Sequence, residues 1–107
     1  MQGVYLKFYV QENRSHHGIL AYEWLLEQAR KIGIPGGSAF RAIAGYGRHG
    51  RLHEEHFLEL SGDLPIEVGF ALGNDDAQRL LEHLGNEQLG LFYIKLPIET
   101  GVVGAPG

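Results

Sequence analysis

Cysteine is absent from the chain. Disulfide staples, thiolate nucleophiles and thiolate metal centres are therefore excluded together. No apolar run approaches the roughly 18 residues that a membrane-spanning helix needs. Nor does the N-terminus show a basic stretch, an apolar stretch and a cleavage site, so a cytoplasmic location is expected rather than secretion. Positive charge is scarce: 9 Lys and Arg against 13 Asp and Glu leave a formal net charge of −4. Phosphate affinity depends on a basic face, so nucleic acid is not an expected partner. One absence is local and runs the other way. No acid occurs between residues 28 and 53, although the chain as a whole is acidic.

What is present fits one domain. The 107 residues are 44% hydrophobic and 21% charged, as in a water-soluble globular protein. A chain this short buries only about 60–70% of its unfolded surface, so self-association would add stability.

Hydrophobic periodicity sets out the elements. Val4, Leu6, Phe8 and Val10 alternate with Tyr5, Lys7 and Tyr9, the period of a half-buried strand. Ser15 is read as the N-cap of a helix whose stripe is Tyr22, Leu25, Leu26, Ala29 and Ile32. Gly33 and Pro35 stop that helix. Ser38 to Gly45 reads as a second strand, and Tyr46 to Asp63 as a long polar connection, a length that tends to be functional. Leu64 to Leu72 alternates as strictly as the first strand. Gly73-Asn74 opens a second helix, with Asp75 and Asp76 where the helix dipole favours acids and Ala77, Leu80, Leu81 and Leu84 as its stripe. Gly85-Asn86 ends it, and Leu91 to Ile98 is a fourth strand. Residues 100–107 are expected to be a flexible tail.

The order βαββαβ predicts an α+β, ferredoxin-like fold: an antiparallel four-stranded sheet with two helices on one face. If the aliphatic sides of the first and last strands meet the helices, Tyr5, Lys7, Tyr9, Tyr93 and Lys95 project from the other face. Such a surface suits burial in a symmetric oligomer, since aromatics bury large area while their hydroxyls keep partners.

The segment richest in chemistry is Ala42 to Leu52. A small-residue strand runs into a loop with glycines at 45, 47 and 50 and arginines at 48 and 51. Glycine lets backbone N–H groups approach an anion, and arginine supplies the charge, so the loop could cradle phosphate. His49, His53 and His56 are spaced by four and three and are weak candidates for a metal site, since imidazole is the commonest metal ligand. His53-Glu54-Glu55-His56 is nevertheless not the zincin motif, because two residues rather than three separate its histidines. His16-His17 ranks below those histidines as a metal candidate, and His17, ahead of the first helix, is expected to hydrogen-bond a neighbouring loop or subunit. No Ser-His-Asp set or cysteine nucleophile is visible, so the chain is read as a binding protein and not an enzyme. RNA-recognition domains share this element order and stack bases on sheet aromatics. Arg41-Ala42-Ile43-Ala44 lacks the glycine and aromatics of their signature, and that reading is remote.

At Gly33-Ile34-Pro35-Gly36 and Gly45-Tyr46-Gly47-Arg48 the chain resembles the PII signalling superfamily. More closely, it is similar to a PII-like family catalogued as a domain of unknown function (number one-ninety). The residues carrying that likeness are His17-Gly18, Arg41 to Gly47, Arg51-Leu52-His53 and Ser61-Gly62-Asp63-Leu64-Pro65. The resemblance implies a PII-like domain over 1–99 with a long T-loop at about 46–63, and a homotrimer whose sheets face inward. It further implies effector clefts between subunits, with the T-loop docking a regulated partner such as a membrane transporter. Carried over by position, Gly37, Gly45, Tyr46, Gly47 and Arg48 line the effector site, with His49, Arg51 and His53 in the loop beyond. No cofactor is required; an adenine nucleotide or another small anion is the effector implied. The chain departs from the superfamily twice. Gly85-Asn86-Glu87-Gln88 replaces a Gly-Asp-Gly-Lys loop, and Leu96 to Thr100 replaces a segment with an arginine pair. Both changes remove charge that would hold a triphosphate. A related metal-associated trimer, CutA, supplies the alternative of divalent-metal binding.

Overall fold

The computed structural model describes residues 1–45, 64–104 and residue 106. Among the described residues, six strands and two helices follow in order: β1 (Gln2–Gln11), β2 (Ser15–His16), β3 (Ile19–Leu20), α1 (Ala21–Lys31), β4 (Ser38–Arg41), β5 (Pro65–Leu72), α2 (Asn74–Gly85) and β6 (Phe92–Glu99). The main sheet runs β4-β5-β1-β6, every neighbouring pair antiparallel. This is the expected ferredoxin-like arrangement. The long strands β1 and β5 occupy its centre.

The alternation of those two strands determines the core. Val4, Leu6, Phe8 and Val10 of β1 lie beside Leu72, Phe70, Val68 and Ile66 of β5, and all eight are buried. α1 brings Ala21, Trp24, Leu25 and Ala29 onto this face, and α2 brings Ala77, Leu80 and Leu84. Burying one Leu or Phe side chain is worth about 1.5–3 kcal/mol, so the face that carries these side chains is the one the helices must cover. Arg79 of α2 donates to the Ile32 carbonyl at 2.8 Å, and the side chains of His83 and Gln28 meet at 2.7 Å, tying the helices to each other.

α1 stops as its sequence requires. Gly33 takes φ +90°, its N–H donates to Arg30 O at 3.1 Å, and Ile34 N–H donates to Ala29 O at 3.0 Å. That pair of bonds is a Schellman motif, which needs a residue free to enter the left-handed region. The start differs from expectation. Ser15 is not the cap; it opens a small hairpin, β2–β3, whose two-residue turn is His17 (φ +52°) and Gly18 (φ +82°). Both positive φ values mark the turn type favoured in two-residue hairpins. Leu20 takes the N-cap position without a side-chain bond, and the Ala21 N–H is instead satisfied by Arg14 O at 2.7 Å.

β4 is shorter than the predicted Ser38 to Gly45. It ends at Arg41, with one further backbone bond from Ala42 N–H to Pro65 O at 2.9 Å. Pro65 is the first residue of the neighbouring strand and has no N–H to return, so the ladder cannot continue there.

The facing of β6 corrects the sequence reading. Phe8 pairs with Tyr93 and Leu6 with Lys95, so Tyr93 and Lys95 share the helix-side face. Phe92, Ile94 and Leu96 instead lie on the open face with Tyr9, Lys7 and Tyr5. Period two fixes which residues travel together, whereas register with the neighbour fixes which side they take.

Candidate functional site

The open face of the sheet is apolar at its edges and polar at its centre. Phe40, Phe92 and Leu96 are 58, 61 and 45% exposed there. At the centre, the phenols of Tyr5 and Tyr9 donate to the two carboxylate oxygens of Glu67, each at 3.1 Å, and Lys7 Nζ lies 3.5 Å from one of them. Withdrawal from solvent, and then the Glu67 bond, hold the Tyr5 phenol above its ordinary pKa.

A groove of about 380 Å³ opens at the β4 edge of this face, lined by Gly36, Gly37, Ser38, Phe40, Tyr5 and Gly69. Gly37, a sequence-predicted ligand residue, therefore does border a groove. Its lack of a side chain has a packing cause as well, because a Cβ there would overlap the Phe70 ring. Gly45 differs: a Cβ would meet Pro65 at an ordinary 3.6 Å, so nothing among the described residues demands glycine by packing. A second cavity of about 240 Å³ lies between α2 and β6, walled by Phe8, Leu81, Leu84, Leu89, Leu91 and Tyr93 and bordered by Gln88. It presents no charged group and suits no anion.

Tyr46, Gly47, Arg48, His49, Arg51, His53 and His56 lie outside the described residues. So does the whole predicted T-loop. Of the basic residues in the acid-free stretch, Arg41 forms an ion pair with Glu12, and Arg30 with Glu27. One local and one tertiary pairing thus reduce a charge inversion that looks larger along the chain.

One constellation brings together residues that the sequence reading did not connect. His16 and His17 each place Nε2 2.9 Å from the same oxygen, Oε1 of Glu87, in the connection between α2 and β6. His17 thus reaches a neighbouring loop, as expected. Those two bonds, His16's first, hold the Glu87 carboxyl below the usual carboxylate range. The His16 ring also stands edge-on to Trp24, with centroids 4.6 Å apart, and Trp24 is buried although it lies off the predicted stripe. The adjacent histidines are visible in the sequence. Their partner, 70 residues further on, carries no signal of its own.

Comparison with known proteins follows the same lines. A family described as "Uncharacterized ACR" (DUF190) matches residues 3–89. The UPF0166 protein of Aquifex aeolicus is 31% identical over 90 residues, covering 84% of this chain and 86% of the relative. Among solved structures, CPII from Thiomonas intermedia K12, bound to ADP, AMP and acetate, superposes with a TM-score of 0.65 at 14% identity, covering 94% of this chain and 90% of that one. A protein from Thermus thermophilus described as PII-like and signalling gives 0.58 at 17% identity, covering 91% and 85%. At these identities the likeness establishes the fold, which is PII-like.

Proposed function

The chain belongs to the DUF190 family, and from that premise we propose that it is a regulatory protein working without catalytic turnover. It binds an adenine nucleotide or another small anion in clefts between the subunits of a homotrimer and signals through residues 46–63. The single observation that carries this reading is the uncovered sheet face. Phe40, Phe92 and Leu96 leave large apolar side chains in water around a satisfied Glu67 centre. A monomer gains nothing from that arrangement, whereas copies meeting through the face bury it. The nucleotide part is supported by the ligands of CPII, which include ADP with AMP and ADP with bicarbonate. Gly45, glycine without a packing cause among the described residues, supports an anion approaching its backbone.

In this reading Gly37, Gly45, Tyr46 and Gly47 form the floor, and Arg48 supplies the charge. His49, Arg51 and His53 contact effector or partner. The effector acts through its different affinity for two states of the loop, and the regulated partner is a membrane transporter or another protein docked by it.

Calorimetry with AMP, ADP, ATP and cyclic dinucleotides, each with and without bicarbonate, tests the effector. Binding of at least one is expected, weakened about tenfold or more by Arg48→Ala, the scale of a lost charge-assisted hydrogen bond. No heat with any of them across several salt concentrations overturns the nucleotide reading. Sedimentation that shows a monomer at every concentration overturns the shared cleft.

A further inference from the structure

The His16–His17–Glu87 cluster has no place in that reading, and its geometry is that of a ligand set. We propose that these three side chains bind a divalent transition-metal cation of the zinc, nickel, cobalt or copper class.

The donors converge. Both imidazole Nε2 atoms lie 2.9 Å from one carboxylate oxygen, and the three ligand atoms fall within 4.8 Å of one another. In a site with metal–ligand bonds of about 2.0–2.2 Å, adjacent donors are about 3.0–3.4 Å apart. Each histidine–glutamate separation therefore needs to open by only a few tenths of an ångström to admit an ion. Two imidazoles aimed at a single oxygen is a focusing that two independent hydrogen bonds do not require.

The backbone points the same way. His17 occupies the first turn position at φ +52°, where asparagine or glycine is the unstrained choice. Its side chain is 66% exposed, so little packing offsets that cost, and what the position achieves is to bring the ring to Glu87. His16 is held more firmly. Its side chain is 16% exposed, edge-on to Trp24 and 4.1 Å from the His17 ring between centroids. A ligand set whose rings are fixed before the ion arrives loses less entropy on binding.

The donor chemistry selects the class of ion. Two neutral imidazoles and one carboxylate suit borderline transition metals, while calcium and magnesium favour sets made wholly of oxygen. Three protein ligands leave at least one position for water or an exogenous donor, so the site is open and not a closed structural centre.

Trp24, the sole tryptophan of the chain, makes the test direct because the His16 ring touches it. Untagged, chelator-treated protein is titrated with Cu²⁺ and separately with Ni²⁺ while tryptophan fluorescence is read, with Zn²⁺ followed by calorimetry. Expected is quenching that saturates at about one equivalent per chain, with affinity reduced about tenfold or more in His17→Asn and in Glu87→Gln. Asn suits the turn, so His17→Asn removes the ring without breaking the hairpin; if it fails to fold, Glu87→Gln decides. The triple variant His49→Ala/His53→Ala/His56→Ala, which strips the loop histidines, is expected to bind as tightly as the wild type. Unchanged affinity in the folded single variants, loss in the triple variant, or no saturation up to about millimolar ion overturns the site.

Discussion

The ring of Tyr5 lies diagonally across the sheet over Gly69, where a Cβ would overlap the phenol. The missing side chain is what lets Tyr5 lie flat and bond Glu67 at 3.1 Å. Gly69→Ala is therefore expected to lift the ring and cost about 1–3 kcal/mol, as overpacking does. In a Tyr5→Val background the same substitution should be nearly neutral. Urea denaturation of the four proteins in a double-mutant cycle measures the coupling.

The Tyr5 phenol is raised, by desolvation first and by its bond to Glu67 second. A raised folded-state pKa favours the protonated form in the native protein. Its stabilisation is whole below pH 10.0, the ordinary tyrosine value, and is lost as pH rises through the higher folded value. In alkaline titration by tyrosinate absorbance, the difference between wild type and Tyr5→Phe is expected to titrate above that ordinary value. A difference curve at or below it contradicts the assignment.

The apolar rim of the open face predicts assembly behaviour. Phe92→Asp or Leu96→Glu puts a charge where a second copy would have to desolvate it, which is costly without a partner. Sedimentation is expected to show dissociation toward monomer, with the far-ultraviolet spectrum kept. Lys95→Glu, on the other face by register, is the control and should leave assembly intact.

The core predicts large, ordinary losses. Leu6, Leu25 and Leu80 are fully buried, so truncating any one of them to Ala should cost about 2–5 kcal/mol. Val102→Ala, at a position 80% exposed, should fall within about 0.5 kcal/mol of wild type. Equilibrium denaturation at fixed protein concentration checks both, because assembly makes stability concentration-dependent.

Much of this architecture is legible along the chain, and particular residues show why. Val4 to Val10 and Ile66 to Leu72 alternate with one face plainly apolar, so their facing follows from burial alone. Gly33 announces the end of α1 because few other residues enter the left-handed region cheaply. β6 misleads. Its apolar residues Phe92, Ile94 and Leu96 look like core in the sequence, yet they share a face with Tyr5, Lys7 and Tyr9. Ser15 looks like a cap because the competing His17-Gly18 turn is an unusual variant of a common hairpin signal. For the candidate effector site, the part that falls on described residues is Gly37 and Gly45. Of the histidine–glutamate cluster, the adjacent histidines can be read and Glu87 cannot.

The sequence by itself determined the order of the two helices and the four strands of the main sheet, the two central strands and the helix stops, because these depend on contacts within a few residues or on one strand's own periodicity. Tertiary structure alone decided how β6 faces, that Glu12 reaches Arg41, and that Glu87 meets His16 and His17. Each of those joins groups that are distant along the chain. Such meetings are set by strand register and loop closure, which no short stretch of residues records.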